Sequence, residues 1–258
     1  MSYEHVAVER DDRITIITIN RPDVHNALNA RAQQELLEAF DAFDADSDQW
    51  VAIATGAGAK AFCAGHDLKE QAEGGELSPL PKGFAGLTSR FDLSKPVIAA
   101  VNGAAMGGGF ELALACDLIV ASSNASFALP EPKVGLAALA GGIQRLPRDI
   151  GLKAAMGILL TGRRVSAHEG FELGFVNEVV EDDVLSAARR WAREIAEASP
   201  LAVRATKEAV LRGLDAPLAQ SIGEVWHYPA MKAMLDSEDA IEGPAAFVDK
   251  RKPNWQGR

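Results

Sequence analysis

The sequence predicts an α/β chain with a mostly helical C-terminal part. Three observations carry this. Short β-branched, apolar runs alternate with helix-like segments through the body of the chain. Those runs are apolar on both faces, as strands are when helices cover a sheet. From Asp182 onward the strand-like runs give way to helix-like ones.

Taken in order, Arg13-Ile-Thr-Ile-Ile-Thr-Ile-Asn20 reads as a strand because β-branched residues fit a pleated surface. Asn29 is placed to cap the next helix, with Ala32, Leu36, Phe40 and Phe43 on one face. Trp50-Val-Ala-Ile-Ala54, Pro96-Val-Ile-Ala-Ala-Val101 and Leu118-Ile-Val-Ala121 are further short strands. Glu70–Leu87, with five glycines or prolines before Phe84, reads as a mobile surface loop. Asp182–Ser199 and Leu201–Arg212 read as helices separated by Pro200. Ser237–Lys250 reads as a helix interrupted at Gly243-Pro244. The expected division is a core over 1–199 and a helical module over 200–258 that packs against something, another subunit among the options.

The chain has 258 residues, with 26 Lys and Arg against 36 Asp and Glu, a net charge of −10. Such an acid excess argues against nucleic acid or an anionic membrane as partner, since both are polyanionic. An apolar share of 48% and a charged share of 24% are those of a globular domain rather than a disordered one. The first residues lack the basic start and apolar run of a secretory signal. The longest quiet run, Val97 to Ala115, is broken by Asn102 and four glycines and carries Glu111, so it does not read as a membrane span. Cys63 and Cys116 supply neither a disulfide framework nor metal-ligand spacing, and a reducing, cytoplasmic setting is expected. His168-Glu169 lacks the second histidine of a zinc-protease helix.

Three segments carry chemistry-bearing residues. In Val101-Asn-Gly-Ala-Ala-Met-Gly-Gly-Gly-Phe-Glu111-Leu, a strand runs into three glycines and a helix. Glycines let a ligand approach the backbone, and a helix N-terminus presents amides to negative charge. The readings are a dinucleotide site, an oxyanion hole for a thioester enolate, or tight helix–sheet packing. The Gly-x-Gly-x-x-Gly order of the first is missing. Glu111 stands in the first turn of an otherwise apolar helix. It is either a working carboxylate or a residue favoured there by the helix dipole. In Phe127-Ala-Leu-Pro-Glu131 another apolar strand ends at a carboxylate, so Glu111 and Glu131 are candidates for an acid–base pair. In Lys60-Ala-Phe-Cys-Ala-Gly-His66-Asp-Leu-Lys69, His66 is either a base or a turn residue whose amide matters more than its ring.

Together these residues resemble the enoyl-CoA hydratase/isomerase (crotonase) family. The resemblance runs from about Ile14 to Arg258. It rests on Asn20-Arg-Pro-x-x-x-Asn-Ala-Leu28, Ala61-Phe-x-Ala-Gly-x-Asp-Leu68, Lys95-Pro-Val-Ile-Ala-Ala-Val-Asn-Gly103, Gly107-Gly-Gly-x-Glu-Leu112, Phe127-x-x-Pro-Glu131 and Gly141-Gly-x-Gln-Arg-Leu146. It implies a crotonase-type α/β spiral of repeated ββα units with a C-terminal helical oligomerisation module, assembled as a homo-trimer or a dimer of trimers.

The resemblance further implies reversible syn hydration of a 2-enoyl-CoA, an acyl-CoA substrate, with no metal and no redox cofactor. The backbone amides of His66 and Gly108 would form the oxyanion hole, Glu111 would activate water for attack at C3, and Glu131 would deliver a proton to C2. Ala64, Leu68 and Lys69, with Phe247 and Lys250 of a neighbouring subunit, would meet coenzyme A. One departure stands out: where many hydratases have Pro-Gly-Ala-Gly-Gly, this chain has Ala138-Leu139-Ala-Gly-Gly142, so Leu139 replaces a glycine near the water site. Gly83-Phe-Ala-Gly-Leu-Thr88, Asn124–Glu131, His227-Tyr-Pro229 and Ser237–Pro244 resemble the carnitinyl-CoA dehydratase (crotonobetainyl-CoA hydratase) branch. Its substrate carries a trimethylammonium group, for which Phe84, Trp226 and Tyr228 are candidate contacts, with Leu139 shaping the pocket. Two alternatives stay open: an isomerase or acyl-CoA hydrolase of the same family, and a non-catalytic CoA- or RNA-binding protein on the same scaffold.

Overall fold

A computed structural model describes residues 3–67 and 81–258. The strands are β1 (Val6–Asp11), β2 (Ile14–Ile19), β3 (Val51–Gly56), β4 (Ala61–Cys63), β5 (Val97–Val101), β6 (Ala104–Met106), β7 (Leu118–Ser122), β8 (Ser126–Ala128), β9 (Val165–Ser166) and β10 (Glu178–Val180). Among the described residues they form a six-stranded sheet in the order β1-β2-β3-β5-β7-β10 and a four-stranded sheet in the order β4-β6-β8-β9. Each successive pair, β3/β4, β5/β6 and β7/β8, gives one strand to each sheet. That alternation is the spiral. From β2 to β10 the larger sheet is parallel, and β1 adds as an antiparallel hairpin partner.

The larger sheet is buried on both faces, which is why its strands read as unbroken apolar runs. On one face Ile14, Ile16, Val51, Ile53, Ile98, Ala100 and Val120 pack against Val184, Ala187, Ala188 and Ala192 of a long amphipathic helix, Val184–Ala196. On the other, Ile17, Ala52, Ala54, Ala99, Val101 and Ala121 pack with α1 (Ala30–Ala45) and α2 (Gly108–Ala115). Burying each such aliphatic side chain contributes roughly 1.5–3 kcal/mol. As the sequence predicts, Asn29 caps α1 by accepting from the Ala32 amide at 2.9 Å, and Ala32, Leu36, Phe40 and Phe43 face the core.

Between the sheets and the C-terminal part lie α3 (Gly142–Ile150), α4 (Leu152–Thr161), α5 (Ala167–Leu173) and α6, the Val184–Ala196 helix. Then follow α7 (Pro200–Gly213), α8 (Leu218–Glu224), α9 (Pro229–Leu235) and α10 (Glu238–Val248). These last helices leave Leu211, Leu214, Leu218, Ile222 and Trp226 exposed. Among the described residues no helix is long and apolar enough to cross a membrane.

Two expectations need correction. The loop predicted over Glu70–Leu87 does not end at the surface: Phe84, Ala85, Gly86 and Leu87 are buried, and a β-carbon on Gly86 would meet Leu37 of α1 at 2.4 Å. Residues 68–80, most of that loop, lie outside the described residues. The predicted break at Gly243-Pro244 is absent, and α10 runs through both residues. The bare Gly243 admits the Trp255 indole, to which a β-carbon there would come within 3.1 Å. The C-terminal residues then fasten along α10, with Asn254 donating to Glu242 and Gln256 to Asp239. This external packing offsets the hydrogen bond that proline removes.

Candidate active site

The site forms where β4 and β6 end side by side in the smaller sheet. Residues 25–28 zip onto residues 64–67: the Leu28 amide donates to Gly65 O (2.8 Å), Asp67 to Leu28 O (3.0 Å) and Ala64 to His25 O (3.1 Å). Gly65 has φ +89, and its α-carbon rests on the glycine triplet. A β-carbon there would lie 2.8 Å from Met106 O and 3.1 Å from Gly108 N. That contact sets His66 and Gly108 next to one another although they are far apart in sequence. Gly108 opens α2, and a helix's first amides have no carbonyl partner within the helix. Phe84 covers this junction: a β-carbon on Gly108 would meet its ring at 2.7 Å, and its ring centroid is 4.7 Å from that of His66.

The triplet serves two purposes. A β-carbon on Gly109 would collide with Cys63 O at 1.9 Å, so this glycine is required for packing. Gly107, at φ +54, turns the chain from β6 into α2, and Glu131 Oε1 lies against its α-carbon.

Glu111 points inward from the first turn of α2 and is 3% exposed. The Gly142 amide at the start of α3 donates to its Oε1 at 2.9 Å, and the Ala140 amide also supports the carboxylate. Burial pushes Glu111 up to about 7; those amides oppose the rise, the Glu131 charge adds to it, and the Arg145 charge offsets part. Glu131 opens a short 3-10 turn, Glu131–Val134, directly after β8 and Pro130. Its Oε2 is buried without a hydrogen-bond partner, and burial raises its pKa. The structure thus brings the two predicted carboxyls within electrostatic reach of each other. Burial disfavours the charged form of both carboxyls, and the Glu131 charge further disfavours that of Glu111. Amides beside such a pair can stabilise an oxyanion while the carboxyls move protons.

The pattern of the enoyl-CoA hydratase/isomerase family matches residues 9–258. The chain belongs to the enoyl-CoA hydratase/isomerase family. It is 47% identical, over 98% of its length and 99% of the relative's, to a carnitinyl-CoA dehydratase of Salmonella arizonae. Among solved structures it is similar to an enoyl-CoA hydratase from Mycobacterium tuberculosis H37Rv, with a TM-score of 0.93 and 43% identity over 98% of this chain and 99% of that one. It is also similar to enoyl-CoA hydratase EchA1 from Mycobacterium marinum, with a TM-score of 0.92 and 44% identity over 98% and 99%. The mixed α/β fold with C-terminal helices is that of the enoyl-CoA hydratases.

Within this family fold the remaining predicted residues fall in different places. Ala64 stands beside Gly65 and His66, with its amide already given to His25. Leu68 and Lys69 lie outside the described residues. Leu139 is 75% exposed, just before the Ala140–Gly142 amides. Tyr228 is buried beneath the Arg212 guanidinium, 5.0 Å from its ring centroid, whereas Trp226 is exposed. Among the described residues no ring contact joins Phe84, Trp226 and Tyr228, so one chain does not assemble them into a cage. Phe247 and Lys250 are exposed at the end of α10, and neighbouring Arg251 is committed to Glu242 at 2.6 and 2.9 Å.

Sequence reasoning missed three contributors: Gly65, whose bare α-carbon joins the two segments; Gly142, whose amide holds Glu111; and Arg145. All three lie inside quoted motifs, but nothing in a motif shows which carboxylate an amide meets.

Proposed function

We propose that the chain adds water reversibly to the C2–C3 double bond of a 2-enoyl-CoA thioester, as a hydro-lyase. The observation that carries this reading is the carboxyl pair: Glu131, with Oε1 against Gly107 and a buried, partnerless Oε2, is electrostatically coupled to Glu111, which Gly142 fixes. In hydration the reactive microstate has Glu111 ionised and Glu131 protonated. Glu111 takes a proton from water as its oxygen bonds to C3, and Glu131 gives its proton to C2. The amides of His66 and Gly108 hold the thioester oxygen while it carries enolate charge. The pair ends with the same single proton, now on Glu111, the form that dehydration needs. Both carboxyls serve one face of the alkene, so addition is syn. Water addition is redox-neutral, and the scheme uses neither a metal nor a redox cofactor.

The acyl group proposed is a short enoyl chain bearing a trimethylammonium head. Support comes from relatives named carnitinyl-CoA dehydratase at 46–47% identity over nearly the whole chain. The exposed apolar side chains of α7 and α8 support assembly with further copies, as a trimer or dimer of trimers, which would bring Phe247 and Lys250 of one copy to another. The free thiols of Cys63 and Cys116 fit a cytoplasmic setting.

The test follows loss of enoyl-thioester absorbance with crotonyl-CoA, longer enoyl-CoAs and crotonobetainyl-CoA. A Glu131→Gln variant is expected to lose about 10²–10⁴-fold in hydration. Near-normal turnover would remove Glu131 as proton donor. Preference for the betaine thioester supports the proposed head group, and indifference to it leaves a general hydratase.

A further inference from the structure

Arg145, in the first turn of α3, bridges the two walls of the site. Its Nη2 donates to Thr88 O at 2.8 Å. Thr88 in turn donates its amide to Phe84 O at 3.2 Å, within the turn that sets Phe84 over Gly108. On the other side Nη1 presses on the bare α-carbon of Gly141, where a β-carbon would lie 2.1 Å away. Gly141 sits between Ala140 and Gly142, the residues whose amides hold Glu111. The Arg145 guanidinium also lies 5.7 Å from the Phe91 ring centroid.

Among the described residues the charges around this group are few. Arg145 faces Glu111 on one side and Asp149, one turn along α3, on the other, with the Cys116 thiol at the end of α2 within electrostatic reach. Glu131 acts on Glu111 with the opposite sign to Arg145. On the Phe84 side, Lys82 pairs with Asp92, and Arg90 with Asp41 and Asp44, while the His66 ring rests on Phe84. Among the described residues Arg145 is therefore the cation acting on Glu111.

We propose that Arg145 is a positioning residue for Glu111. It clamps the Ala140–Gly142 turn onto the carboxylate and sets its charge against that of Glu131. The inference rests on the hydratase reading above. Removing the charge takes away an attraction for ionised Glu111, so the Glu111 titration moves to higher pH.

The test compares wild type, Arg145→Gln and Arg145→Lys by kcat/KM against pH and by ¹³C NMR titration of the Glu111 carboxyl, assigned with Glu111→Gln. Gln retains a donor for Thr88 O without the charge; Lys retains the charge. The lower limb and the carboxyl titration are expected to move up by about one unit in Arg145→Gln. At pH 6.5 this is roughly a tenfold loss, largely recovered above pH 8.5. Arg145→Lys is expected to stay within about 0.3 units of wild type. An unmoved Glu111 titration in Arg145→Gln, or the same shift in both variants, overturns the proposal. If Arg145→Gln fails to fold, an Arg145→Lys titration displaced by a full unit overturns it, and one near wild type supports it. A wild-type profile with no lower limb, alongside a normal Glu111 titration, instead refutes the hydratase role of Glu111.

Discussion

The Gly142 amide donates a 2.9 Å hydrogen bond to Glu111 Oε1, joining the first turns of two helices that are 31 residues apart at this contact. The bond stabilises the ionised carboxylate and fixes its rotamer at once. It is also crowded: a β-carbon on Gly142 would lie 3.0 Å from Ala138 Cβ and 3.1 Å from both Glu111 Cγ and Oε1.

Gly142→Ala therefore displaces the carboxylate by a few tenths of an ångström without straining the backbone, since Gly142 is an ordinary helical residue. A misplacement of that kind is expected to lower kcat about 10–100-fold. KM should change little, because the proposed thioester grip lies at His66 and Gly108. Steady-state kinetics with crotonyl-CoA check both numbers.

Gly65→Ala tests the proposed oxyanion amides instead. At φ +89 an alanine is strained, and its methyl would push on Met106 O at 2.8 Å and Gly108 N at 3.1 Å. Spreading the two amides is expected to cost about 10²–10³-fold in kcat, the scale for loss of one oxyanion donor. Gly58→Ala is the control for backbone strain: at φ +77 its β-carbon would meet nothing closer than Pro22 Cβ at 3.5 Å, and its kcat should remain within about twofold of wild type.

The sequence makes the long elements legible. Ile14–Ile19, α1 with its Asn29 cap, and the buried strands β3, β5 and β7 each show β-branched runs or helical periodicity. The smaller sheet was hidden because β4, β6 and β8 are three residues long and β9 two, too short to show a period. Glu111 and Glu131 stood out as carboxylates at the ends of apolar runs. Their supporting partners did not, because Gly142, Gly65 and Arg145 act through backbone proximity that only the folded spiral creates. Trp226 and Tyr228 suggest themselves by ring chemistry alone, and among the described residues no ring contact joins them to Phe84.

Asp239 holds the end of the chain. It is buried at the start of α10 and accepts from Ser199 Oγ (2.9 Å), the Gln256 amide (2.7 Å) and the Gly257 amide (3.2 Å). Asp239→Ala leaves these donors unmatched at the junction of α7, α10 and the C-terminal residues. The expected loss is about 2–3 kcal/mol, or roughly 5–10 °C in Tm. Carboxypeptidase should then trim the end faster, while kcat of the folded enzyme stays near wild type.

The raised pKa of Glu111 has a cost in stability, and its sign can be worked out. The folded state holds the proton up to about 7, whereas an unfolded glutamate releases it near its ordinary value of 4.5. Between those values the folded state binds more protons, so Glu111 lowers stability progressively as pH rises through that window. Below about 4.5 the burden is absent, and above about 7 it is fully present. A shift of this size corresponds to about 3 kcal/mol. Glu111→Gln keeps an acceptor for the Gly142 amide and never ionises, so it escapes the burden. The variant is expected to match wild type in thermal denaturation near pH 4.5 and to exceed it by about 1–3 kcal/mol at pH 8, while losing hydration. Because Glu131 is raised in the same direction, Glu131→Gln should show a gap of the same sign. A wild type that is equally or more stable than both variants at pH 8 would mean that the site holds its carboxyls without conflict.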